Sequence, residues 1–593
     1  MNNLVKNHSQ ALIGRAIFVI AALSIMLYHV TFNFNGLTSP TGIDQAQVAR
    51  EVAQGQGYTT KFIRPQQVKQ LQDHGKEINF HQMPETYHSP LNILVNAGIL
   101  KMIGADDIEN YLLGPNDKFY IPDQAIAITC SIFFLIAIGI NFLLISRIFD
   151  TKIATVTAVI MLTSSDYWAI AQSGLPQMLM LTLFSTAMYL VWKSVERQKA
   201  ELNPTFTATL AAFFFGLLAL THWLTIWIFI GYLIFAIFYF QPRGAVALGC
   251  ATLFMVFIAP PIVYYTMQTG EPLGTAFHAI HGAQGAADVA MRQIDNVSFN
   301  VKNLLSATLH EALRQVTELA TYLGGLVLAP AFFLCLVHPF RRATIADFRW
   351  GILLLWVFAV IGMSIYGLSK SPLEPNLLYG LFAPLMTAYG IAMVSIIWSR
   401  SPLSTQGGVL GNTHLIIIAI LAATPLFLKV KNQVRSRNES PVVNGVHAFS
   451  LNSQLRAVTK ETDLIVSDQP WAVAWYANRS AIWTPINSKN LTALETVAES
   501  RGSLISGLHV TGVSYRGLDI TQTLYKNRDL TALCIAPWMA NFTQVRQNQL
   551  LANNPAIAPL IGPSQGSYKY VYPLISARFE PSFYYAREDV SRN

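Results

Sequence analysis

Charge is what this 593-residue chain has least of. Asp, Glu, Lys and Arg make up only 12% of it, where a soluble chain carries about 25%. Hydrophobic residues reach 52%, with a mean hydropathy of +0.38. That deficit excludes an ordinary soluble enzyme, and apolar runs of roughly 20 residues, the length that spans a bilayer, recur up to residue 430. Cysteine is equally sparse. Cys130, Cys250, Cys335 and Cys534 are widely scattered, the first three inside apolar runs, which excludes a disulfide framework or a cysteine metal cluster. No cleavable leader is expected, because "ALIGRAIFVIAALSIMLYHVTF" at 11–32 is too long for a signal core and has no small-residue cleavage site. The net charge of +8 is no nucleic-acid footprint, since the basic residues sit in short loops between apolar runs.

The apolar runs place about eleven transmembrane helices, at 11–32, 123–146, 152–165, 174–192, 206–221, 223–240, 244–266, 317–337, 350–368, 377–397 and 413–430. With the N-terminus inside, the short inner loops hold the basic residues from Arg147 to Arg400, while the short outer loops hold Lys370 alone. The positive-inside rule then orients the chain, and an odd number of crossings leaves everything after 430 outside. The outer segments are 33–122, 267–316 and the tail 431–593. In the tail, "TDLIVSD", "SAIWTP" and "GLHVTGVSY" read as strands, and "QPWAVAWYA" and "NLTALETVAES" as helices between them. The expectation is a polytopic α-helical membrane domain over 1–430 and a soluble α/β domain over 431–593. No Gly-rich phosphate loop follows the tail strands.

The first outer segment opens with "GIDQAQVAREVAQGQGYTT" from Gly42. Ile43, Ala46, Ala49, Val52 and Ala53 gather on one helical face and Gln45, Gln47, Arg50, Glu51 and Gln54 on the other, which predicts a short amphipathic helix at the membrane interface. A second helix is predicted at 90–104, after the turn "YHSPL".

An apolar helix, an outer acid, a juxtamembrane helix ending in "GxGYTT" and an "H-x-P-L" turn together resemble the GT-C glycosyltransferases, in particular the protein O-mannosyltransferases and the lipid A aminoarabinose transferases. The resemblance covers roughly 1–430, and "SDQPWAVAWYANRSAIWTP" in the tail is similar to the soluble domain of bacterial members. It implies a GT-C fold and a polyprenyl-phosphate-linked sugar as donor, transferred to a hydroxyl acceptor (protein, glycan or lipid) at the outer face of the membrane. Such a transfer needs a base for the acceptor proton, while the leaving phosphate needs cations or hydrogen-bond donors more than a strong acid. Base and cation on opposite sides of the anomeric carbon imply inversion. No cofactor is implied, and a monophosphate donor gives less need for a divalent ion than a pyrophosphate.

The resemblance places the catalytic acid at Asp44; read alone, Asp44 is a helix N-cap. Where relatives carry a second acid directly after it, this chain has Gln45. Asp166, in the outer turn "TSSDYWAIAQSG", is the second catalytic candidate, with a solvated turn residue as the plainer reading. For the donor phosphate the candidates are His88, Arg64, Lys61, His222 and Lys370, each alternatively a snorkelling or headgroup contact. Relatives often show Arg-Tyr near "YGLFAP", where this chain has Asn376 and Tyr379 without the arginine. Tyr58, Tyr87, Trp168 and Tyr379 are candidates for acceptor or sugar contact, and Trp168 fits an interfacial aromatic belt equally well. His278 and His281 are three apart, but no further ligand follows at a zinc spacing. Asn478, Asn490 and Asn541 match glycosylation triplets, a pattern frequent by chance.

A transporter or flippase of a lipid-linked substrate is the competing reading. It would show internal repeats and mid-bilayer charges, whereas here the spans are nearly free of Asp, Glu, Lys and Arg. An assembly protein working through its tail is a third. The compact design points to a bacterium, hence undecaprenyl phosphate and a periplasmic site. The sugar and acceptor stay open.

Overall fold

The computed structural model describes residues 2–112, 119–281, 286–295, 301–319, 328–368, 373–401, 410–435 and 449–512, and beyond them 524, 527–531, 533–534, 567–568, 570–574 and 582–587. Lys370, Asn541 and part of the expected span 317–337 lie outside these residues.

The membrane part is built from α1 (Asn2–Thr31), α5 (Ile121–Ile148), α6 (Thr151–Thr163), α7 (Ser165–Ala171), α8 (Gln177–Lys199), α9 (Thr205–Thr221), α10 (Ile226–Tyr239), α11 (Arg243–Thr269), α14 (Ala343–Tyr366), α15 (Tyr379–Trp398) and α16 (Thr413–Arg435). Six of these, α1, α5, α8, α11, α14 and α15, are long and apolar enough to cross a membrane. α6 and α7 form a seventh as a broken pair bent by 58°, and the apolar stretches at Thr205–Thr221, Trp223–Tyr239 and Thr413–Leu428 are shorter. Every expected span except 317–337 therefore carries an apolar helix. In that stretch the described residues hold the end of α13 (Val301–Thr317), which follows α12 (Ala286–Met291), and helical turns at Ala329–Ala331 and Phe332–Cys335.

The segment 33–112 folds as α2 (Pro40–Ala53), β1 (Thr59–Thr60), β2 (Phe62–Ile63), α3 (Pro65–Asp73), β3 (Met83–Pro84) and α4 (Pro90–Met102). Pro40 and Pro90 sit in the first turns of α2 and α4, behind Ser39 and Ser89 at the N-caps, where a missing N–H costs nothing. α2 stops before Gly55 and Gly57, whose φ angles of +80° and +88° reverse the chain as other residues rarely can. The expected interfacial amphipathic helix needs correction. α2 begins earlier, at Pro40, and its polar face is buried as well, with Gln45, Gln47, Arg50 and Glu51 all in the interior. Gln45 meets His88 and Asn92 around α4, Gln47 and Glu51 meet Thr60 and Lys61, and only Arg50 turns to the tail.

The tail contributes α17 (Phe449–Ala457), β4 (Leu464–Ser467), β5 (Ser480–Trp483), α18 (Ser488–Ser500), β6 (Ile505–Val510), β7 (Tyr570–Leu574) and β8 (Ser582–Ala586). The strand order is β2-β5-β4-β6-β8-β7. β2, β5, β4 and β6 run parallel, and β8 and β7 are antiparallel to their neighbours. The sheet is thus completed by β2 from between α2 and α3, paired Phe62 to Ala481 and Ile63 to Ile482. A π-helical turn at Val473–Ala477 plugs into the membrane part. Arg50 of α2 donates to the carbonyls of Ala474 and Trp475, both at 2.8 Å, and Trp475 Nε1 and Tyr476 OH donate to Asp123 of α5 at 2.7 and 2.8 Å. Each partner is buried, so these bonds fix the seating of the tail instead of merely decorating it. Asn478 and Asn490 are buried too, which removes both as accessible glycosylation acceptors.

Candidate active site

Asp44 is the fifth residue of α2, not its cap. Ser39 holds the cap position, and the Asp44 side chain bonds to other side chains, not to helix N–H groups. Its carboxylate is 1% exposed and lies 2.5 Å from Arg64 Nη2 and 2.6 Å from His88 Nε2, while Gln47 Nε2 donates to its other oxygen at 3.1 Å. Burial alone would raise this carboxyl. The Arg64 charge and the bonds from His88 and Gln47 outweigh it and hold the group at about 2, so Asp44 is ionised.

Three local features place its partners. Arg64 follows β2 and is clamped between two rings, 4.1 Å from the Phe62 centroid and 4.0 Å from that of Tyr87. Such contacts favour a guanidinium over a lysine. His88 precedes the α4 cap. Its N–H donates to Glu85 Oε1 at 2.9 Å, and its carbonyl accepts from Tyr58 and Tyr265 at 2.7 and 2.5 Å. Asn92 Nδ2 donates to Gln45 Oε1 at 2.6 Å, which turns the Gln45 amide nitrogen towards His88 Nδ1 at 3.4 Å. Nδ1 is then the acceptor and Nε2 the nitrogen that donates to Asp44. Finally, α2 lies close to the turn after α7. A Cβ on Gly42 would meet Ser173 O at 2.3 Å, so only glycine permits this approach.

Asp44, Arg64, Tyr87, His88 and His222 line one cavity of about 580 Å³. Arg314, Asp288 and Glu374 reach the same space, as do Trp471 and Trp483 of the tail. Arg314 donates to Glu311 Oε1 and to Leu368 O, each at 2.5 Å. Burial pushes the Tyr87 phenol up to about 12, which keeps it neutral beside Arg64. Among the described residues no three His, Cys, Asp or Glu side chains gather as a ligand set.

The other candidates lie elsewhere. Lys61 is paired with Glu51 at 3.0 Å and donates to Asn478 at 2.7 Å, so it ties α2 to the tail and does not line the cavity. Tyr58 is a support for the His88 carbonyl. Trp168 is fully buried, with its indole donating to Leu162 O at 2.7 Å and its ring stacked on His29 at 4.6 Å. That corrects the interfacial-belt reading. Tyr379 is buried behind the cavity and donates to Gln315 at 3.1 Å. Asp166 sits half-buried in the first turn of α7 and is not among the cavity residues. Sequence reasoning missed Arg314, Trp471 and Trp483. Arg314 was findable as the basic residue beside the apolar stripe of α13, whose Leu305, Leu309 and Leu313 are exposed.

The chain shares the GT-C fold with the following solved membrane proteins. Among solved structures the chain is similar to ArnT from Cupriavidus metallidurans in the apo state, at 12% identity over 98% of this chain and 99% of that one, with a TM-score of 0.55. It is also similar to the archaeal oligosaccharyltransferase AglB from Archaeoglobus fulgidus, solved with an inhibitory peptide and a dolichol-phosphate, at 14% identity over 83% of this chain and 69% of that one, with a TM-score of 0.53. ArnT bound to undecaprenyl phosphate matches at 12% identity and a TM-score of 0.50, over 97% of this chain and 98% of that one. No family model and no curated protein sequence matches the chain.

Proposed function

We propose that this protein is an inverting glycosyltransferase that moves a sugar from a polyprenyl-phosphate donor to a hydroxyl acceptor at the outer face of the membrane, with Asp44 as the base. The observation that carries this reading is the ionised Asp44 carboxylate in a cavity shared by helix ends of the membrane part and by the tail. The acceptor O–H proton passes to Asp44, its oxygen bonds to the anomeric carbon, and the bond from that carbon to the phosphate oxygen breaks. The polyprenyl phosphate departs with the bonding pair. Arg64, Arg314 and His222 are the donors available to the developing phosphate charge. ArnT's capture of undecaprenyl phosphate in the same fold supports this class of donor, and undecaprenyl phosphate is the lipid we expect here.

A base held at about 2 is weak. Donor binding corrects this in our reading: the phosphate draws the Arg64 charge away from Asp44, and the carboxylate gains basicity as the pair loosens.

The experiment is transfer by purified protein from a radiolabelled panel of polyprenyl-phosphate sugars to a crude envelope acceptor, wild type against Asp44→Asn. Loss of transfer by a factor of ~10²–10⁴ with donor binding kept is the expected result. Full activity in Asp44→Asn would remove the base from this residue, and a product retaining the donor configuration would remove inversion.

A further inference from the structure

The cavity has two walls of different origin. One is helix ends and turns of the membrane part, Thr221 to Trp223 at the end of α9 and Tyr366 to Leu368 at the end of α14. The other is Phe62, Trp471 and Trp483. Asp44 lines the same space. A donor anchored in the bilayer approaches along the helix ends, so the second wall faces what arrives from outside.

That second wall has the position of a ligand site in its own right. Trp471 lies just beyond the carboxyl end of β4, Trp483 is the last residue of β5, and Arg64 follows the end of β2. These three strands are parallel neighbours in the order β2-β5-β4, so their carboxyl ends share one edge. Open parallel sheets bind ligands outside that edge. The rings meet edge to face, not in a stack. Phe62 and Trp471 are 6.1 Å apart at 65°, Phe62 and Trp483 5.6 Å at 74°, and Trp471 and Trp483 6.1 Å at 83°. Trp483 is half-buried while Trp471 is buried, so the corner opens through Trp483.

We propose that the Phe62–Trp471–Trp483 corner is the acceptor subsite, and that it takes a pyranose ring whose hydroxyl is presented to Asp44. A pyranose carries a face of C–H groups with partial positive charge, which complements the electron-rich face of an aromatic ring, while its hydroxyl edge stays free to react. A Ser/Thr peptide has no such face. The acceptor is therefore a carbohydrate, either a soluble glycan or the sugar headgroup of a lipid. This proposal rests on the transferase reading for the role of the bound sugar, but not for the binding itself.

The test is saturation-transfer NMR on the full chain in nanodiscs without donor. The probes are the methyl pyranosides of glucose, galactose, mannose and N-acetylglucosamine and a Ser/Thr-rich peptide. At least one pyranoside is expected to receive saturation at its ring protons. Its affinity should fall about tenfold in Trp483→Ala and be largely kept in Trp483→Phe, each with wild-type thermal unfolding. Asp166→Asn, outside the cavity lining, should bind as wild type does. Displacement of the methyl pyranoside by its dodecyl counterpart in the nanodisc bilayer assigns a lipid headgroup; lack of displacement assigns a soluble glycan. Saturation of the peptide alone, of no pyranoside, or of a pyranoside equally in Trp483→Ala would overturn the subsite. If pyranoside binds but no donor is ever consumed, the subsite stands and the transferase reading falls.

Discussion

Arg64 closes on Asp44 at 2.5 Å with its guanidinium sandwiched between Phe62 and Tyr87. The pair sits where the membrane part and the tail sheet meet, because Arg64 directly follows the strand that joins that sheet. One short segment therefore sets both the charge state of the acid and the place of the aromatic wall. The tail does not stand apart from the membrane part; it completes the site.

Gln45 is expected to control which ring nitrogen of His88 faces Asp44. Gln45→Glu puts a carboxylate beside Nδ1, which turns that nitrogen from acceptor to donor and adds positive charge next to the base. The kcat should fall about tenfold with the donor KM little changed. The 15N shifts of the His88 ring should move to the doubly protonated pattern; shifts identical to wild type would show that Gln45 does not set the ring.

The seating of the tail rests on Arg50. Arg50→Met keeps the apolar stem but leaves the carbonyls of Ala474 and Trp475 without donors in the interior, a cost on the order of 2–3 kcal/mol. The expected outcome is faster proteolytic release of the tail, together with loss of transfer, although Asp44, Arg64 and His88 are all retained. Protection and activity equal to wild type would mean that the tail is held elsewhere.

Much of this was legible in sequence, for identifiable reasons. Span positions follow from apolar length, and the helix beginning at Pro90 from its Ser-Pro start. The tail strands Leu464–Ser467 and Ser480–Trp483 follow from short runs rich in β-branched and apolar residues between turns. Asp44 and His88 were singled out through the order of motifs, not through any local pattern. What escaped was the pairing of distant segments. Phe62–Ile63 is too short to show alternation, so nothing announced that it would extend the tail sheet. For the same reason the polar face of α2 read as solvated, when in fact Arg50 pairs with the tail and Glu51 with Lys61. Asp166 and Trp168 show the converse: closeness to a span end says nothing about which way a side chain turns.

Gly42 is the point where steric room sets the place of Asp44. Gly42→Ala would press its Cβ against the Ser173 carbonyl, 2.3 Å away, and the backbone of Gly174 at 2.9 Å. Backbone atoms cannot rotate aside, so α2 must shift. A destabilisation of about 1–3 kcal/mol is expected, read as a lower Tm, with a fall in kcat because Asp44 moves with its helix. An unchanged Tm would show that the turn after α7 yields freely.

The pH dependence tests whether the donor loosens the Asp44–Arg64 pair. Asp44 is depressed to about 2 in the folded protein from an ordinary value near ~3.9. The stability it contributes is therefore fully present above about pH 4 and is lost as pH falls towards 2. Thermal unfolding of wild type should show that acid loss, and Asp44→Asn should lack it. Activity behaves differently in each complex. The acid limb of kcat/KM reports the free enzyme, where the pair is intact, and should lie below about pH 4. The acid limb of kcat reports the donor complex. If the phosphate takes Arg64, the carboxylate becomes more basic and this limb moves to higher pH, by roughly one to two units. Coincident limbs would mean that Arg64 never leaves Asp44, and the phosphate charge would then fall to Arg314 and His222.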